Sequence, residues 1–559
     1  MPEKPKNILV CTAWPYANGS LHLGHIAGCY LPADIFARYN RLKGNNVVMV
    51  SGSDAHGTPV TITAESQGIT PEQVSDHYHK EFLFDWQRLG INYDNFTSTH
   101  TENHVKVVQD IFLDLYNKKF IYKNIMSQPY CEDHQRYLAD RYVEGICPHC
   151  RFDNARGDQC DNCGNTLDPK DLINIRHKDC NTSPVFRDTE HFFLKLSSFE
   201  DDLLQWVNKN NHWKSNVKNF TIGFLEGGLI DRAITRDIDW GIPIPIKGYE
   251  NKRIYVWFEA VIGYLSATIE WAQKNNSPVE WKEFWENESQ SYYFMGKDNI
   301  PFHTVIWPAI LMGKENLNLP YDVPANEYVN MESKKISTSR NWVVNVKDYL
   351  ERYDPDPLRF ALTSIMPETS DSNFSWEQYL RLNNDELVAT FGNLVHRVIS
   401  MTHRYFNGIV QPPVNLDEKD KALIKFAENT LVEVGNQISL CKFRKGLSLA
   451  LSLAQETNKY IDSKAPWKSY QTDPTITGTS LYICINIINC LKIMFIPYLP
   501  FTTERLHADL LLEGNVTDNG WTWNPEAIIP GHKLAAPHPL FLKLDESIIE
   551  EEVKRLGIN

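Results

Sequence analysis

The sequence contains little that would place it in a membrane, a secreted fraction or a strongly basic class of protein. Its first residues, "MPEKPKNILV", have too short an apolar run for a secretory signal peptide. We find no internal repeat and no low-complexity tract. The net charge of −14 gives no indication of a strongly basic domain. A nucleic acid would therefore have to be bound by local basic and aromatic surfaces. These absences lead us to expect a cytoplasmic globular protein.

The most apolar stretch, residues 481–501, contains Asn486, Asn489, Lys492 and two prolines. Polar residues at this density favour a buried helix of a bundle over a membrane span. At 559 residues, with 42% hydrophobic and 23% charged residues, the chain is long enough for two to four domains. We therefore expect a multidomain protein with no membrane partner.

The N-terminal residues follow a strand, helix, strand pattern. Residues 7–13 form a β-type apolar run, and residues 47–52 form a second one rich in β-branched side chains. Between them, Ser20 is a plausible N-cap for a helix through Leu42 that Gly44 stops. Two parallel strands with a crossover place ligands beyond their carboxyl ends. The polar segments after these strands, with Tyr16 and with Asp54, are therefore expected on one rim of a sheet.

Two histidines stand at the predicted start of this helix. His22 and His25 are three residues apart and share a helix face. A helix N-terminus favours anions, and Gly24 lets a flat ligand approach the backbone. The arrangement suits a nucleoside triphosphate, although such a pair taken alone is more often structural.

Four cysteines have the spacing of a structural zinc site. Cys147, Cys150, Cys160 and Cys163 form a C-x2-C-x9-C-x2-C pattern, which in a reducing compartment favours metal binding over disulfides. Four thiolates leave no open position for a catalytic water. A weaker second set could form another zinc knuckle or could consist of residues that simply pack. That set is Cys131, His134, His177 and Cys180.

Further strand-to-helix junctions supply aromatic and charged side chains. Trp257 and Tyr264 follow one such junction, and Lys297 and His303 follow another. Together with Tyr16 they could line a pocket for an apolar side chain, where Asp54 could bind an ammonium group. The alternative is an ordinary aromatic core cluster. Downstream, "MESKKISTSR" offers Lys335, Ser337, Thr338 and Ser339 as phosphate donors, or is merely a solvated loop.

From about residue 385 the pattern is helical, with further helices near residues 418–440, 443–461, 481–496 and 548–556. Residues 513–545 are expected to be irregular. The sequence therefore predicts an all-helical C-terminal domain.

Several of these motifs, taken together, resemble a known family. "HLGH" is similar to the HIGH signature of class I aminoacyl-tRNA synthetases, and "KISTS" to their KMSKS signature. With "GSDAHGTP", "YVWFEAVIGY", the four-cysteine knuckle, "MGKDNIPFH" and "DSKAPW", they resemble methionyl-tRNA synthetases over essentially the whole chain. The resemblance implies an α/β fold: a Rossmann-like parallel sheet split by a zinc-knuckle insertion, then an all-α anticodon-binding helical bundle.

The resemblance implies the attachment of methionine to tRNA(Met) in two steps, through a methionyl-adenylate made from ATP with Mg²⁺ and with release of pyrophosphate. It implies catalytic roles for His22, His25, Lys335 and Lys297. It implies ATP binding by Tyr16, His22, Gly24, His25, Lys335, Ser337, Thr338 and Ser339. It implies methionine binding by Trp14, Tyr16, Asp54, Trp257, Ala260, Tyr264 and His303. It implies anticodon binding by Asn393, Arg397 and Trp467.

The same resemblance predicts five regions in a chain that we expect to be a monomer. They are residues 1–121 and 232–325 as the two halves of the catalytic domain, 122–231 as the insertion, 326–384 as the lysine loop and stem-contact region, and 385–559 as the anticodon-binding domain.

The sequence departs from the family pattern at a few positions. Thr338 replaces the second lysine of the loop, Trp14 stands where leucine is frequent, and Val261 where proline is frequent. Asn299 is polar where an apolar residue can line the pocket. Three other readings stay open: a sister synthetase for leucine, isoleucine, valine or cysteine, a small-molecule nucleotidyltransferase, and a non-catalytic tRNA-binding paralogue.

Overall fold

A parallel five-stranded sheet lies at the centre of the N-terminal part. The computed structural model describes residues 4–139, 142–157, 160, 162–163 and 167–557, without the side chain of Ser339. The central strands, numbered in chain order, are β1 (Asn7–Thr12), β2 (Asn46–Ser53), β3 (Asn95–Ser98), β4 (Ser289–Gly296) and β5 (Ala325–Asn326). Their spatial order is β5-β4-β1-β2-β3, and each neighbouring pair is parallel. The predicted parallel pairing of the first two strands is confirmed.

The order of the strands changes direction at β1. The chain proceeds from β1 to β2 and β3 on one side, and returns to add β4 and β5 on the other. Cys11 of β1 lies opposite both Val50 of β2 and Tyr293 of β4. Ligands in open parallel sheets bind in the crevice at such a switch point, beyond the carboxyl ends of the strands. The segments that follow β1 and β4 therefore border the candidate site.

The helical run that follows β1 begins at the histidine pair. It comprises Leu23–His25, a π-helical turn at Ile26–Tyr30, and Leu31–Leu42. The predicted Ser20 cap is wrong: His22 is the N-cap, because its own ring nitrogen accepts the amide hydrogen of His25. An imidazole thus fills the position that serine or threonine usually takes. Gly44 follows the helix with φ of +84°, as its predicted role as a stop requires.

Helices cover both faces of the central sheet. Ile8 and Val10 pack on one face in a core that continues into the C-terminal helices, while Leu9 and Cys11 pack on the other. The N-terminal part contains the helices Thr58–Gln67, Pro71–Leu89, Glu102–Asn117, Val256–Lys274, Lys282–Trp285 and Trp307–Lys314, the last preceded by a π turn at Phe302–Ile306.

An insertion made mainly of antiparallel strands separates β3 from β4. Its four-stranded sheet contains Arg232–Ala233, Val185–Leu194, Ile121–Cys131 and Arg136–Tyr137. A three-stranded sheet contains Ala155–Arg156, Val143–Ile146 and Ile173–His177. Short turns at Pro169–Asp171 and Leu196–Phe199, the helices Glu200–Lys209 and Ser215–Glu226, and the pair Thr235–Arg236 and Arg253–Ile254 complete it.

A small three-stranded sheet connects the N-terminal part to the C-terminal helices. It contains Val329–Met331, Lys334–Lys335 and Ser372–Phe374, with the helices Val346–Leu350 and Pro355–Ser364 beside it. The segment "MESKKISTSR", predicted as a loop, therefore contains a short strand and a 3-10 turn at Thr338–Arg340.

The C-terminal part is helical, as predicted, and its described residues from 385 onward contain no strand. One continuous run comprises Trp376–Arg381, a π segment at Leu382–Gly392, and Asn393–Phe406. The other helices are Glu418–Ser439, Phe443–Lys464, Pro466–Thr472, Pro474–Phe495, Pro500–Asp509 and Ser547–Arg555.

The most apolar helix, Pro474–Phe495, is long and apolar enough to cross a membrane by length and composition. Its most apolar 18-residue window is fully buried inside the protein, which makes it the core helix of the bundle. It begins seven residues before the predicted start, because Asp473 caps it by accepting the amide hydrogen of Thr475 and Pro474 stands in its first turn.

Candidate active site

Two segments that lie more than 300 residues apart meet at the start of the first helix. The amide of Leu23 donates to the carbonyl of Val344 over 3.1 Å, and the amide of Val346 donates to the carbonyl of Leu21 over 2.8 Å. A Cβ atom built on Gly24 would lie 3.0 Å from Cδ1 of Ile336, which is the second residue of "KISTS". The histidine motif and the lysine loop therefore form one surface.

The two histidines form a reciprocal cap. Each ring Nδ1 accepts the backbone amide hydrogen of the other residue over 3.3 Å, and the rings stack with their centroids 3.6 Å apart. Because both Nδ1 atoms are acceptors, each neutral imidazole carries its proton on Nε2. Desolvation lowers the pKa of His22 well below its usual value, helped by nearby His25, and lowers the pKa of His25 to about 4 although its ring remains exposed to the cleft. At neutral pH the pair thus presents two N–H donors without charge.

The lysine loop is a closed turn. Ser337 and Trp342 exchange backbone hydrogen bonds of 3.1 and 2.9 Å. Nε of Arg340 donates to the Ser337 hydroxyl over 3.2 Å, while Nζ of Lys334 lies 4.2 Å from the centre of the Trp342 ring. Lys335 and Thr338 are exposed, but the side chain of Ser339 is outside the described part of the structure. The exposed Lys335 thus stands next in sequence to Ile336, the loop residue that contacts the histidine motif.

Lys297 follows β4 directly. Its ammonium group forms ion pairs with Glu327 at 2.6 Å and with Asp371 at 3.1 Å, and lies 4.4 Å from the centre of the Tyr328 ring. Burial alone would lower the pKa of Lys297, but the two carboxylates more than compensate and raise it. Lys297 is therefore a charged group on the β4 side of the crevice, held by carboxylates in this structure.

Asp54 lies beyond β2, next to the segment that follows β1. Its amide donates to the carbonyl of Pro15 over 2.8 Å, and its carbonyl accepts from the amide of Ala17 over 2.9 Å. Asp54 is only 4% exposed. Burial raises its pKa well above the usual value, and an ionised Glu259 would raise the pKa further. A cationic ligand placed beside Asp54 would stabilise its ionised form.

The aromatic side chains predicted to line the pocket contact one another, and Tyr16 pairs with Asp54 through the backbone. Tyr16 meets Trp257 edge to face at 6.3 Å, and Trp257 stacks on Phe302 at 3.9 Å. The Tyr264 hydroxyl lies 2.7 Å from Nε2 of His303. Because Nδ1 of His303 donates to the carbonyl of Asn299 over 2.9 Å, Nε2 accepts the tyrosine proton. Burial lowers the pKa of His303 to about 4, so this histidine is neutral.

Trp14 and Ala260 complete the predicted pocket. Trp14 meets Tyr264 edge to face at 6.4 Å, and its ring packs so tightly on Gly52 and Gly263 that a Cβ on either glycine would lie within 2.6 Å of it. Ala260 is partly exposed, one turn after Trp257. The large ring in place of a leucine is therefore accommodated by two glycines.

Sequence reasoning missed a polar group beneath this pocket. It consists of the buried Glu259, the histidines His56 and His104 beside it, and His100, which contacts His56. His56 stands in the quoted segment "GSDAHGTP" and Glu259 in "YVWFEAVIGY", so both lay within recognised motifs. An acidic residue among the apolar residues of the first helical turn was the available signal.

Both predicted cysteine-containing sets are assembled. In the first, Cys147 and Cys163 have their sulfurs 3.8 Å apart, and Cys150 and Cys160 have theirs 3.6 Å apart. A tetrahedral zinc with sulfurs at 2.3 Å needs sulfur separations of about 3.8 Å. The four ligand atoms lie within 4.8 Å of one another, so the geometry fits a metal ion.

The second set is equally compact. The sulfurs of Cys131 and Cys180 are 3.7 Å apart, Nδ1 of His134 lies 3.3 Å from Cys131, and Nδ1 of His177 lies 3.0 Å from Cys180. Its four ligand atoms are also within 4.8 Å of one another. These residues therefore do not merely pack near the first cluster but point at a common centre.

The three predicted anticodon residues lie on one side of the helical bundle. Asn393 and Arg397 are one turn apart on the helix Asn393–Phe406, and Asn393 is exposed. The guanidinium carbon of Arg397 lies 5.8 Å from the centre of the Trp467 ring, which is 40% exposed. Arg397 also donates to Asp462 over 2.8 Å. A base that stacked on Trp467 would thus be within reach of Arg397.

Comparison with known protein families agrees with this geometry. A family profile described as "tRNA synthetases class I (M)" matches residues 8–399, and another described as "Anticodon binding domain of methionyl tRNA ligase" matches residues 412–558. The chain belongs to the methionyl-tRNA synthetase family. Its fold class and its enzyme class, predicted from the sequence motifs, are confirmed, and this membership separates it from the sister synthetases.

Curated relatives of this synthetase match along nearly its whole length. The methionine–tRNA ligase of Dehalococcoides mccartyi is 52% identical over 553 residues, covering 99% of this chain and 100% of the relative. That of Thermomicrobium roseum is 49% identical over 578 residues, covering 99% of each chain. The solved methionyl-tRNA synthetase of Mycobacterium tuberculosis, bound by methionyl-adenylate, is 23% identical with a TM-score of 0.79, covers 96% of this chain and 100% of that one, and shares the fold.

Proposed function

We propose that the crevice between β1 and β4 joins methionine to ATP, and that the adenylate then esterifies the terminal adenosine of tRNA(Met), starting at its 2′-hydroxyl. In the first step a carboxylate oxygen attacks the α-phosphorus and pyrophosphate leaves. The observation that carries the proposal is the contact of Ile336 with Gly24, which unites the histidine motif and the lysine loop. This methionine–tRNA ligase activity serves translation.

The chain stabilises the phosphates by position and charge. Negative charge grows on the α-phosphate and the departing pyrophosphate, so preorganised donors are the principal catalytic device. We assign the two Nε2–H donors of His22 and His25 to the phosphates, with Lys335 closing over the pyrophosphate of MgATP. Tyr16, Gly24, Ser337, Thr338 and Ser339 line the nucleotide, and Lys297 assists from the β4 side. Because Lys297 is held by Glu327 and Asp371, it would exchange these partners for phosphate oxygens.

Methionine would bind with its ammonium group beside Asp54 and its side chain among the aromatic rings. Asp54 is buried, and no ion pair involving it occurs among the residues that the structure describes. Its carboxylate would therefore gain most from a cationic ligand. The side-chain pocket is formed by Trp14, Tyr16, Trp257, Ala260, Tyr264 and His303. Sulfur–aromatic contacts favour a thioether in such a pocket.

The helical bundle would bind the anticodon. Asn393 and Arg397 would form hydrogen bonds to a base, and Trp467 would stack on it. Arg397 forms an ion pair with the exposed Asp462. A surface ion pair is weak, so a base would compete only with a weak interaction for the guanidinium group.

The two cysteine-containing sets would each hold a structural Zn²⁺. Tetrahedral sets of four thiolates, or of two thiolates and two imidazoles, are typical of zinc knuckles. Zinc there would tie the strands of the insertion together, because few apolar residues form the core of this region. We assign the first ion to Cys147, Cys150, Cys160 and Cys163, and the second to Cys131, His134, His177 and Cys180.

The five regions with bounds 1–121, 122–231, 232–325, 326–384 and 385–559 remain our proposed division of the chain. The bound at 385 falls inside the continuous helical run from Trp376 to Phe406, so the stem-contact region and the bundle share an element. We further propose that the enzyme acts as a cytoplasmic monomer.

Replacing Lys335 by alanine should slow adenylate formation by raising its activation free energy by about 2–4 kcal/mol. This is the scale of losing one preorganised donor at a developing charge. The measurement is methionine-dependent ATP–pyrophosphate exchange, run beside parallel assays in which leucine, isoleucine, valine or cysteine replaces methionine. Lys282→Ala, which removes a lysine ion-paired to Glu286 on a surface helix, is the matched control and should leave exchange unchanged. Exchange at the wild-type rate in Lys335→Ala would remove Lys335 from the site.

Arg397→Ala should raise the KM for tRNA while leaving pyrophosphate exchange intact, because the anticodon surface does not contact ATP or methionine. Trp467→Ala should weaken tRNA binding by about 1–3 kcal/mol through lost stacking. Arg404→Ala, an exposed arginine on the same helix, is the control. If Arg397→Ala lost exchange and tRNA charging equally, the defect would be one of folding.

Elemental analysis of the purified protein should find two zinc ions per chain, one for each compact set. Cys147→Ser should lose one ion and Cys131→Ser the other. A single ion in the wild-type protein that persists in Cys131→Ser would contradict the second site.

A further inference from the structure

A buried row of polar side chains runs beneath the amino-acid pocket. Glu259 stands in the first turn of the helix Val256–Lys274, and its side chain is fully buried. Nδ1 of His56 lies 3.0 and 3.1 Å from its two carboxylate oxygens. Nε2 of His104, also fully buried, lies 3.8 Å from the second oxygen. Burying an anion at this depth is costly unless its partners neutralise it.

The direction of the hydrogen bonds in this row can be read from its end. The Ser266 hydroxyl donates to the carbonyl of Gly263 over 3.0 Å, so its oxygen is left to accept. Nδ1 of His104 lies 2.8 Å from that oxygen and therefore donates. A neutral His104 then has a bare lone pair on Nε2, which has no hydrogen-bond partner within the described structure and is directed at Glu259.

The other end of the row has the same direction. Nε2 of His56 lies 3.0 Å from Nδ1 of His100, which stands at the protein surface and stacks on Trp240. If His100 donates to His56, then His56 donates from Nδ1 to Glu259. Hydrogen-bond donors and acceptors then alternate along the row of His100, His56, Glu259, His104 and Ser266. If Glu259 were ionised, the row would be interrupted at one point, where a lone pair of Glu259 would face the lone pair of His104.

We propose that Glu259 is a positioning residue that holds a proton. Its carboxyl group directs this proton towards Nε2 of His104 and accepts a hydrogen bond from Nδ1 of His56. These contacts fix the loop of Asp54 against the helix that bears Trp257. This inference rests on the proposed function of Asp54 and Trp257 in methionine binding. With that proton in place two bare lone pairs no longer face each other across the 3.8 Å between Glu259 and His104. The row ends on the backbone carbonyl of Gly263.

The ionisation of the groups around Glu259 agrees with this arrangement. Burial raises the pKa of Glu259 against the opposing influence of His56. Burial and nearby His56 lower the pKa of His104 to about 3, which opposes a proton on its Nε2. Outside the row, His100 is 4.0 Å from the exposed Glu72 and Asp54 is the nearby carboxyl whose pKa a charged Glu259 would raise.

The consequence reaches the substrate through two short links. The backbone amide of His56 donates to Oδ1 of Asp54 over 3.3 Å, so the position of His56 orients the carboxylate that would receive the ammonium group. Glu259 itself is flanked in sequence by Trp257 and Ala260 of the pocket. A neutral Glu259 also places no second buried negative charge near Asp54. This favours the ionised form of Asp54.

The test compares a neutral isostere with an apolar residue of similar size. In Glu259→Gln the amide can donate to His104 and accept from His56, so the KM for methionine should stay within about threefold of wild type. Glu259→Leu has neither group, and its KM for methionine should rise by at least about tenfold while the KM for ATP stays within about threefold. Both constants come from ATP–pyrophosphate exchange on the full-length zinc-loaded enzyme. Methionine titrations of intrinsic tryptophan fluorescence give the binding constant independently.

Any other pattern overturns the proposal, and above all a tenfold rise in Glu259→Gln, which would show that Glu259 acts as an anion. Should Glu259→Leu fail to fold by circular dichroism, Glu259→Asp takes its place with the same expectation, because the shorter side chain cannot reach both histidines. Glu270→Gln, on the same helix and bound to Asn95 and Lys274, is the matched control. Wild-type enzyme without methionine-dependent exchange would refute the proposed function instead, so the two failures are distinguishable.

Discussion

The backbone pairing of residues 21–23 with residues 344–346 is the constraint on which the candidate site depends. These hydrogen bonds fix the start of the histidine helix against the end of the lysine loop, and Ile336 then packs over Gly24. Hydrogen bonds between backbones are insensitive to side-chain identity, so the loop can vary in sequence while its position is kept. This explains how Thr338 can stand where the family usually has lysine without displacing the loop.

A buried arginine links the same helix to the C-terminal bundle. Arg359 donates to Asp34 over 2.7 Å, and Asp34 belongs to the helical run that begins at His22. It also donates to the carbonyls of Tyr498 and Leu89, over 2.9 and 3.1 Å. Charged groups buried at this depth need such complete pairing, and removing one partner is strongly destabilising. The proposed anticodon surface and the proposed phosphate donors are thus carried on elements that share buried hydrogen bonds of Arg359 and one continuous apolar core.

Much of this architecture could be predicted because its signals are local. β1 and β2 are short apolar runs, the cysteine pairs have fixed spacing, and the bundle helices show regular apolar periodicity. The His22 cap could not be predicted, because an imidazole seldom caps a helix and only the partner His25 makes it effective. The partners of Lys297 and the Glu259 row depend on residues distant in sequence, and such contacts follow from the strand order and not from any local pattern.

The electrostatics of the site share one theme. His22, His25 and His303 are held neutral by burial or desolvation, and their tautomers are fixed by backbone atoms. Charge is concentrated on exposed or partly exposed groups such as Lys335 and Lys297, which can move onto phosphates. Rigid neutral donors and mobile cations together suit a reaction in which negative charge shifts from one phosphate to the next.

The central claim is that the histidine motif and the lysine loop act on one bound nucleotide. A double-mutant cycle of His25→Asn and Lys335→Ala, measured as the rate of methionyl-adenylate formation in a single turnover, tests it most directly. Two groups that stabilise the same transition state should be coupled by about 0.5–3 kcal/mol. If the two effects instead added to within about 0.3 kcal/mol, the motifs would act independently and the account would be contradicted.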